Sequence, residues 1–353
     1  MLPSSIFSGN WKTGHVQGIA IDTAREYIYY SFTTVLVKSD MRGNIIGSVG
    51  GIVGHLGCLD FCDADGRVYG SLEYKQDAIG RGILDMIGSS AKLENAFYIA
   101  AFDGSKITRM DMDAERDGIM TAVYLKDVVD DFEGVGVDGV TPHRYGCSGI
   151  DGTAFGPAFG TRGGKTYLNV AYGIYADTAR GDNDYQIILS YDTSDWGTYE
   201  RPLKQDALHH SGPDKPHARY FVYTGNTTYG VQNLEYDGYT GNWFFAVYPG
   251  KKPAYPNHPF YIVDGSKAPV RAQLKGFPEG TEGLTLTLLE DGIPDKQSGV
   301  WGWDFPHGDT GLFALDDGRY YISHHGRTNT GLQNSTVYLY RWTGHPPAPF
   351  TLE

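Results

Sequence analysis

His15-Val-Gln-Gly-Ile19, His55-Leu-Gly-Cys-Leu59, Gly146-Cys-Ser-Gly-Ile150, Gly230-Val-Gln-Asn-Leu234 and Gly308-Asp-Thr-Gly-Leu312 share one pattern. Each opens on His or Gly, holds a small or amide residue third and a small residue fourth, and ends on Ile or Leu. A unit recurring along one chain is the mark of a repeat architecture. Four of the five copies run through a polar turn into an aromatic strand. Asp22-Thr-Ala-Arg-Glu26 leads to Tyr27-Ile-Tyr-Tyr30, and Asp63-Ala-Asp-Gly-Arg67 to Val68-Tyr-Gly-Ser71. Asp237-Gly-Tyr-Thr-Gly-Asn242 leads to Trp243-Phe-Phe-Ala-Val247, and Asp316-Asp-Gly-Arg319 to Tyr320-Tyr-Ile-Ser323. Asp, Gly and Asn supply the local hydrogen bonds and positive φ of tight hairpins. In the third copy the strand Tyr167-Leu-Asn-Val-Ala-Tyr172 arrives after a longer insertion.

A third strand follows each pair, as in Thr34–Asp40, Phe97–Asp103, Tyr185–Asp192, Phe260–Asp264 and Val337–Arg341. A fourth follows in four units: Ile45–Val49, Met120–Tyr124, Arg219–Tyr223 and Val270–Leu274. Four antiparallel strands repeated radially make a β-propeller. The expectation is therefore an all-β chain, residues 1–353 forming a single propeller domain, with five blades starting near 15, 55, 146, 230 and 308. A closed ring also removes exposed sheet edges. A β-sandwich or eight-stranded barrel is the rival arrangement. The stretch Thr281–Glu290 has no assigned place in the pattern.

Composition agrees with many short strands. Of 353 residues, 48 are Gly, about twice the usual ~7%, with 26 Tyr and 16 Phe. Lys plus Arg total 29 against 42 Asp plus Glu, a net charge of −13. That balance argues against nucleic acid or an anionic membrane as partner, and no apolar run reaches the ~18 residues of a membrane helix. Cys58, Cys62 and Cys147 are too few for a disulfide framework and lack a second pair for zinc. The start, Met1-Leu-Pro-Ser-Ser-Ile-Phe7, has no basic or apolar leader segment, which gives a cytoplasmic expectation. No Walker A loop, H-E-x-x-H or G-x-S-x-G occurs. Gly134-Val-Gly-Val-Asp-Gly139 matches a dinucleotide fingerprint in letters but no helix-like pattern follows, so it reads as a loop.

Propeller topology states which distant residues converge. Each inner strand starts at one face beside the axis, and the loop between second and third strands opens on that same face. The inner-strand starts carry His15, Gln17, His55, His143 with Arg144, Gln232 and His307. The loops carry Glu73-Tyr-Lys75, Tyr172 and Tyr175, Tyr248 with Lys251 and Lys252, and His324-His-Gly-Arg327. Six of the 11 His (His15, His55, His143, His307, His324, His325) fall in these places. Such a mouth holds acids, bases and donors together and suits a polar ligand, a carboxylate-bearing one included. A His at a strand start can equally just cap a backbone carbonyl. Trp303, in the Gly-rich lead-in with Trp301 and Phe305, is a candidate to stack on a sugar face.

Two positions past the repeat's fourth residue stand Ala20, Asp60, Asp151, Glu235 and Phe313. Three successive blades thus offer a carboxylate at one expected level. Close like charges raise a pKa and create acid–base pairs. The same carboxylates could hold Ca2+ or Na+ in the central channel, or simply accept backbone N–H bonds between blades. The architecture resembles the five-bladed β-propeller glycosidases, which keep two aspartates and a glutamate on successive inner strands. The resemblance implies Asp60 as general base, Asp151 as the group tuning pKa and orientation, and Glu235 as general acid. The sequences around them do not match those families' signatures, and the set begins in the second blade. The mouth is similar in kind to propeller polysaccharide lyases. There Arg144, Lys75 or Arg327 would neutralise a uronate, and His15, His55 or His325 would take its α-proton. The expected function is cleavage of a glycosidic bond in a small, polar or acidic saccharide, by hydrolysis or β-elimination. Expected catalytic residues are His15, His55, Glu73, Asp60, Asp151 and Glu235. Expected substrate-binding residues are Gln17, Lys75, Arg144, Tyr175, Gln232, Trp303, His307, His325 and Arg327, with no dedicated metal site. The rival classes are a non-catalytic propeller binding a glycan or protein, and a Ca2+-dependent phosphatase or lactonase.

Overall fold

The computed structural model describes residues 2–92 and 94–353. Runs of β-branched and aromatic residues between Asp/Gly/Asn turns fold as short strands. These assemble into five sheets around one axis. Blade 1 is Val16–Ile21, Tyr27–Phe32, Val35–Asp40 and Ile45–Gly50. Blade 2 is His55–Cys62, Arg67–Tyr74, Ala96–Phe102 and Met120–Tyr124. Blade 3 is Cys147–Pro157, Thr166–Ile174, Tyr185–Tyr191 and Ala218–Tyr223. Blade 4 is Thr228–Asp237, Asn242–Tyr248 and Phe260–Val263. Blade 5 is Leu312–Ala314, Arg319–Arg327 and Gln333–Trp342, completed from the N-terminus. Inner strands touch in the order 1-2-3-4-5-1, so the ring is closed.

The small residues of the repeat make that closure sterically possible. A Cβ on Gly18 would lie 2.7 Å from the Leu59 backbone nitrogen in the next blade. Gly311, at φ +138°, would bring a Cβ to 3.0 Å from Ile19. The fourth repeat position is small because the neighbouring inner strand occupies the space a side chain would need.

Ser5–Phe7 pairs antiparallel with the third strand of blade 5, Ile6 opposite Val337, and so clasps the ring shut. Phe350–Leu352 continues along the same edge. Two expectations are corrected here. Val270–Gln273 is not the fourth strand of blade 4. It pairs with Glu282–Leu286, which lies parallel on the outer strand of blade 3. The outer edge of blade 4 is occupied instead by single bridges, Val263 to Leu288 and Phe260 to Trp303. The stretch 281–290 therefore serves both blades. Two helices, Ala78–Ile87 and Lys126–Phe132, interrupt a pattern that announces only strands. The first begins at Asp77, whose side chain accepts the Gly80 N–H at 2.9 Å. Among the described residues no helix is long and apolar enough to cross a membrane.

Ile6 is 1% exposed. If the clasp holds the ring, Ile6→Ala lowers the unfolding free energy by about 2–5 kcal/mol. A urea titration checks this, and a loss within about 0.5 kcal/mol, the size of a neutral surface change, would show the clasp to be incidental.

Candidate functional site

The mouth forms where topology places it. A cavity of ≈ 220 Å3 is lined by His15, Gln17, His55, Glu73, Lys75, Ile79, Ser148, Asp151, Tyr229, Gln232 and Tyr248. A more open groove of ≈ 490 Å3 shares His15 and Tyr248 with it and continues over His307, Asp309, Thr310, His324 and His325. Seven residues named from the inner-strand starts and loops thus meet in the first hollow, joined by Asp151 from the carboxylate positions. His307, His324 and His325 meet in the second.

His55 is the centre of the arrangement. Its Nδ1 stands 3.6 Å from Glu73 Oε1 and 3.6 Å from Asp151 Oδ1, and makes no hydrogen bond. Asp151 Oδ1 is likewise without a partner. Glu73 is committed: Oε1 is ion-paired with Lys75, and Oε2 accepts the Ile150 N–H at 3.0 Å. Lys75 also donates to Ser148 O at 2.9 Å. Gln232 Nε2 donates to Asp151 Oδ2 at 3.4 Å and to Tyr229 O at 2.8 Å. On the other wall, Gln17 Nε2 and the Tyr248 hydroxyl lie 3.2 and 3.3 Å from His15 Nε2. Two donors on one ring nitrogen require it to be unprotonated.

Burial then sorts the protons. Desolvation, with Lys75 and His15 nearby, lowers His55 to about 3. Desolvation and His325 lower His15 to about 4. Burial pushes both carboxyls up, and Lys75 pulls back against that rise. Lys75 is in direct contact with Glu73, whereas Asp151 also feels the negative charge of Glu73 and rises furthest. The ion pair holds Glu73 toward its anion, and of the two carboxyls Asp151 is pushed further toward its protonated form. Asp151 thus faces the imidazole with an unspent oxygen and a raised pKa.

Several expected residues lie elsewhere. Trp303 is 0% exposed, in the core of blades 4 and 5, and offers no face to a ligand. Arg144 pairs with Asp131 at 3.0 Å, beside the second helix and outside both hollows. His143 bonds the Phe132 carbonyl at 2.6 Å. Tyr175 lines neither hollow, its hydroxyl donating to Asp77 at 2.7 Å. Arg327 is exposed, two residues beyond His325 on the same strand, and lines neither hollow.

The three-carboxylate level does not exist. Asp151 is at the mouth, while Asp60 and Glu235 line a separate hollow with Asp63 and Asp316. In blade 3 a register shift falls at Asp151 itself, between Ile150 and Thr153, whereas in blades 2 and 4 the shifts precede Asp60 and Glu235. Asp151 sits across from Gly57, whose missing Cβ would lie 2.7 Å from the aspartate's Oδ1. Asp60 accepts N–H bonds from Phe61 at 2.7 Å and from Phe155 of blade 3 at 2.6 Å. Glu235 accepts the Ala314 N–H of blade 5 at 2.7 Å. These two therefore tie blades together, and the base and acid roles implied for them by resemblance lose their geometry. Among the described residues no group of three or more His, Cys, Asp or Glu is arranged to hold a metal ion.

No known family profile and no curated protein matches the chain. Among solved structures it is similar to a native arabinanase from Bacillus subtilis, at 10% identity over 95% of this chain and 97% of that one, with a TM-score of 0.41. It is similar also to a calcium structure of a Trichoderma reesei carbohydrate-active enzyme of family AA12, at 13% identity over 90% and 80% of the two chains and a TM-score of 0.33. A pyranose dehydrogenase domain from Coprinopsis cinerea gives 11% identity over 91% and 81%, with a TM-score of 0.33.

Sequence reasoning missed Ser148, Thr310, Tyr229, Ile79 and Asp309. A signal existed for two of them: Gln17, Ser148, Gln232 and Thr310 all occupy the third position of the repeat.

Both mouth histidines stay neutral in the fold far below the 6.5 of an unfolded chain. Between 6.5 and about 4 the unfolded form binds protons that the native form refuses, so the pair costs stability as pH falls through that window. Imidazole NMR should give midpoints near 4 for His15 and near 3 for His55. A His15→Asn/His55→Asn variant should lose less stability than wild type on acidification across the window. Midpoints near 6.5 would show the mouth to be hydrated.

Proposed function

We propose that this propeller is a carbohydrate-active enzyme that hydrolyses a glycosidic bond of a small saccharide in the axial mouth. The observation that carries the reading is the trio Glu73, His55 and Asp151: two buried carboxyls 3.6 Å from one imidazole nitrogen, one committed to Lys75 and the other with an unspent oxygen. Environments that push paired groups apart in pKa are how acid and base roles are divided at neutral pH. The ≈ 220 Å3 cavity has the size of one sugar ring, and the adjoining groove has room for the rest of a short chain. Gln17, Gln232 and Tyr248 supply hydrogen bonds for hydroxyls.

In this scheme Asp151 gives its proton to the leaving glycosidic oxygen as the C–O bond breaks. His55 takes a proton from the attacking water, whose oxygen forms the new bond to the anomeric carbon. The imidazolium is stabilised by Glu73 and by the carboxylate that Asp151 has become. Each transfer makes the other easier. Return of the proton from His55 to Asp151 restores the starting state. Hydrolysis is favoured over β-elimination because of where the cations are. Lys75 is spent on Glu73, Arg144 on Asp131, and Arg327 lies outside both hollows. A substrate uronate would find no free positive charge in the cavity.

Incubation with a panel of neutral and uronic-acid oligosaccharides should release reducing ends without an unsaturated chromophore. Asp151→Asn should lower kcat by about 10²–10⁴-fold. His15→Ala and His55→Ala should also cut turnover with little change in melting temperature. Reducing ends together with the chromophore would replace hydrolysis by elimination. Silence across the panel would leave a glycan- or protein-binding propeller.

A further inference from the structure

The opposite end of the axis carries a second hollow that the mouth chemistry does not use. It measures ≈ 570 Å3 and opens among the turns joining first to second strands. His55 and Asp60 stand at the two ends of one inner strand, roughly 15 Å apart at strand rise. Asp60, Glu235, Asp63 and Asp316 line this hollow with four half-buried rings, Phe61, Phe155, Tyr236 and Phe313. Among the described lining residues Arg162 is the single cation, and its guanidinium is anchored on Thr240 O at 3.0 Å.

The carboxyls are not equally satisfied. Both oxygens of Asp60 accept backbone N–H bonds, and Asp316 Oδ1 accepts Gly238 N–H at 2.7 Å. Asp63 accepts the Thr23 hydroxyl. Glu235 is 5% exposed, uses Oε1 for Ala314, and leaves Oε2 buried without a partner. A buried acceptor left empty costs about 1–3 kcal/mol unless something fills it. The group that fits must donate to Glu235, carry positive charge among four carboxyls, and present apolar surface to four rings. A bare metal ion fails on the last count, and the carboxyls lack the arrangement to coordinate one. A neutral sugar would meet the rings but not the charge. An alkylammonium meets all three, since cations bind ring faces and carboxylates together.

We propose that this far-end hollow is a binding site for an organic ammonium ion, a primary amine or short polyamine, with Glu235 Oε2 as its anchoring acceptor and Phe61, Phe155, Tyr236 and Phe313 as its walls. It is separate from the mouth and does not depend on hydrolysis there. Burial of Glu235 beside Asp60 and Asp316 raises its pKa, and burial raises Asp60 to about 7, so an incoming ammonium relieves repulsion and expels protons.

The test uses the full chain and isothermal titration with putrescine and butylamine at low salt. Saturable binding at one site per chain is expected, with heat that changes between buffers of different ionisation enthalpy as protons leave. Glu235→Gln keeps a carbonyl for Ala314 and should weaken binding by about tenfold or more. Phe313→Leu should weaken it several-fold, and Asp151→Asn should leave it unchanged. Unaltered binding by Glu235→Gln, with its melting temperature retained, would overturn the site. So would binding of calcium or of a neutral monosaccharide there with no amine binding. Should Glu235→Gln unfold, Asp316→Asn decides by the same titration: weakened amine binding supports the site, and unchanged binding overturns it.

Discussion

Five inner strands touch around an axis, with glycines where a neighbouring strand leaves no room for a Cβ, and the rest of the molecule follows from that contact. Gly18 lies against Leu59, Gly57 against Asp151 and Gly311 against Ile19, each closer than a Cβ would allow. The ring is therefore narrow, and its polar groups bond across blades instead of to water. Asn233 donates to Gln17 O at 2.8 Å and to Asp309 O at 3.0 Å, and Ser31 donates to Gly57 O at 2.6 Å. A wider ring would need bulkier filler and would admit water to the axis. Here the mouth is small enough to desolvate His15, His55, Glu73, Lys75, Asp151 and Tyr248.

That narrowness explains the electrostatics. Lys75 is 4% exposed and Glu73 3%. Either charge alone would be very costly there, and together they are tolerated because each is paired and further hydrogen-bonded. The pair then becomes a fixed feature to which the softer groups respond. Burial is the main cause of both shifts, and the pair adds to it: its positive end further lowers His55, and its negative end further raises Asp151.

The radial repeat is legible in the sequence because each copy solves one packing problem with the same short answer. It locates the blades and, through topology, brings His15, Gln17, His55, Glu73, Lys75, Gln232 and Tyr248 to one hollow. Counting along inner strands fails where bulges intervene. Asp60 and Asp151 share an offset from the repeat but not a hollow: the shift in blade 3 falls at Asp151 itself, between Ile150 and Thr153, and the shift in blade 2 falls before Asp60, between Leu56 and Leu59. Bulges depend on backbone accommodation between neighbours, which residue spacing does not record. The place of Trp303 is hidden because a Gly-rich lead-in looks the same whether it ends on the surface or bridges to Phe260 in the core. Arg144 is drawn away by Asp131 from a helix that the strand pattern does not announce. Val270–Gln273 joins the blade 3 sheet through Glu282–Leu286, while Leu288 and Trp303 occupy the edge of the short strand Phe260–Val263.

Four buried acids around this axis share a residue chemistry and differ in what their oxygens are given to do. Asp60 has both oxygens filled by backbone donors and is held as a clasp. Glu73 is filled by Lys75 and Ile150 and is held as a fixed anion. Glu235 has one oxygen free, but no base stands beside it, so its spare lone pair points to recognition rather than proton transfer. Asp151 alone joins a free oxygen to a facing neutral imidazole. Acid catalysis needs both an unspent oxygen and a neighbour that can return the proton. By that criterion the proposed chemistry belongs at the mouth, and the far-end carboxyls serve the fold and, in the proposal above, a ligand of opposite charge.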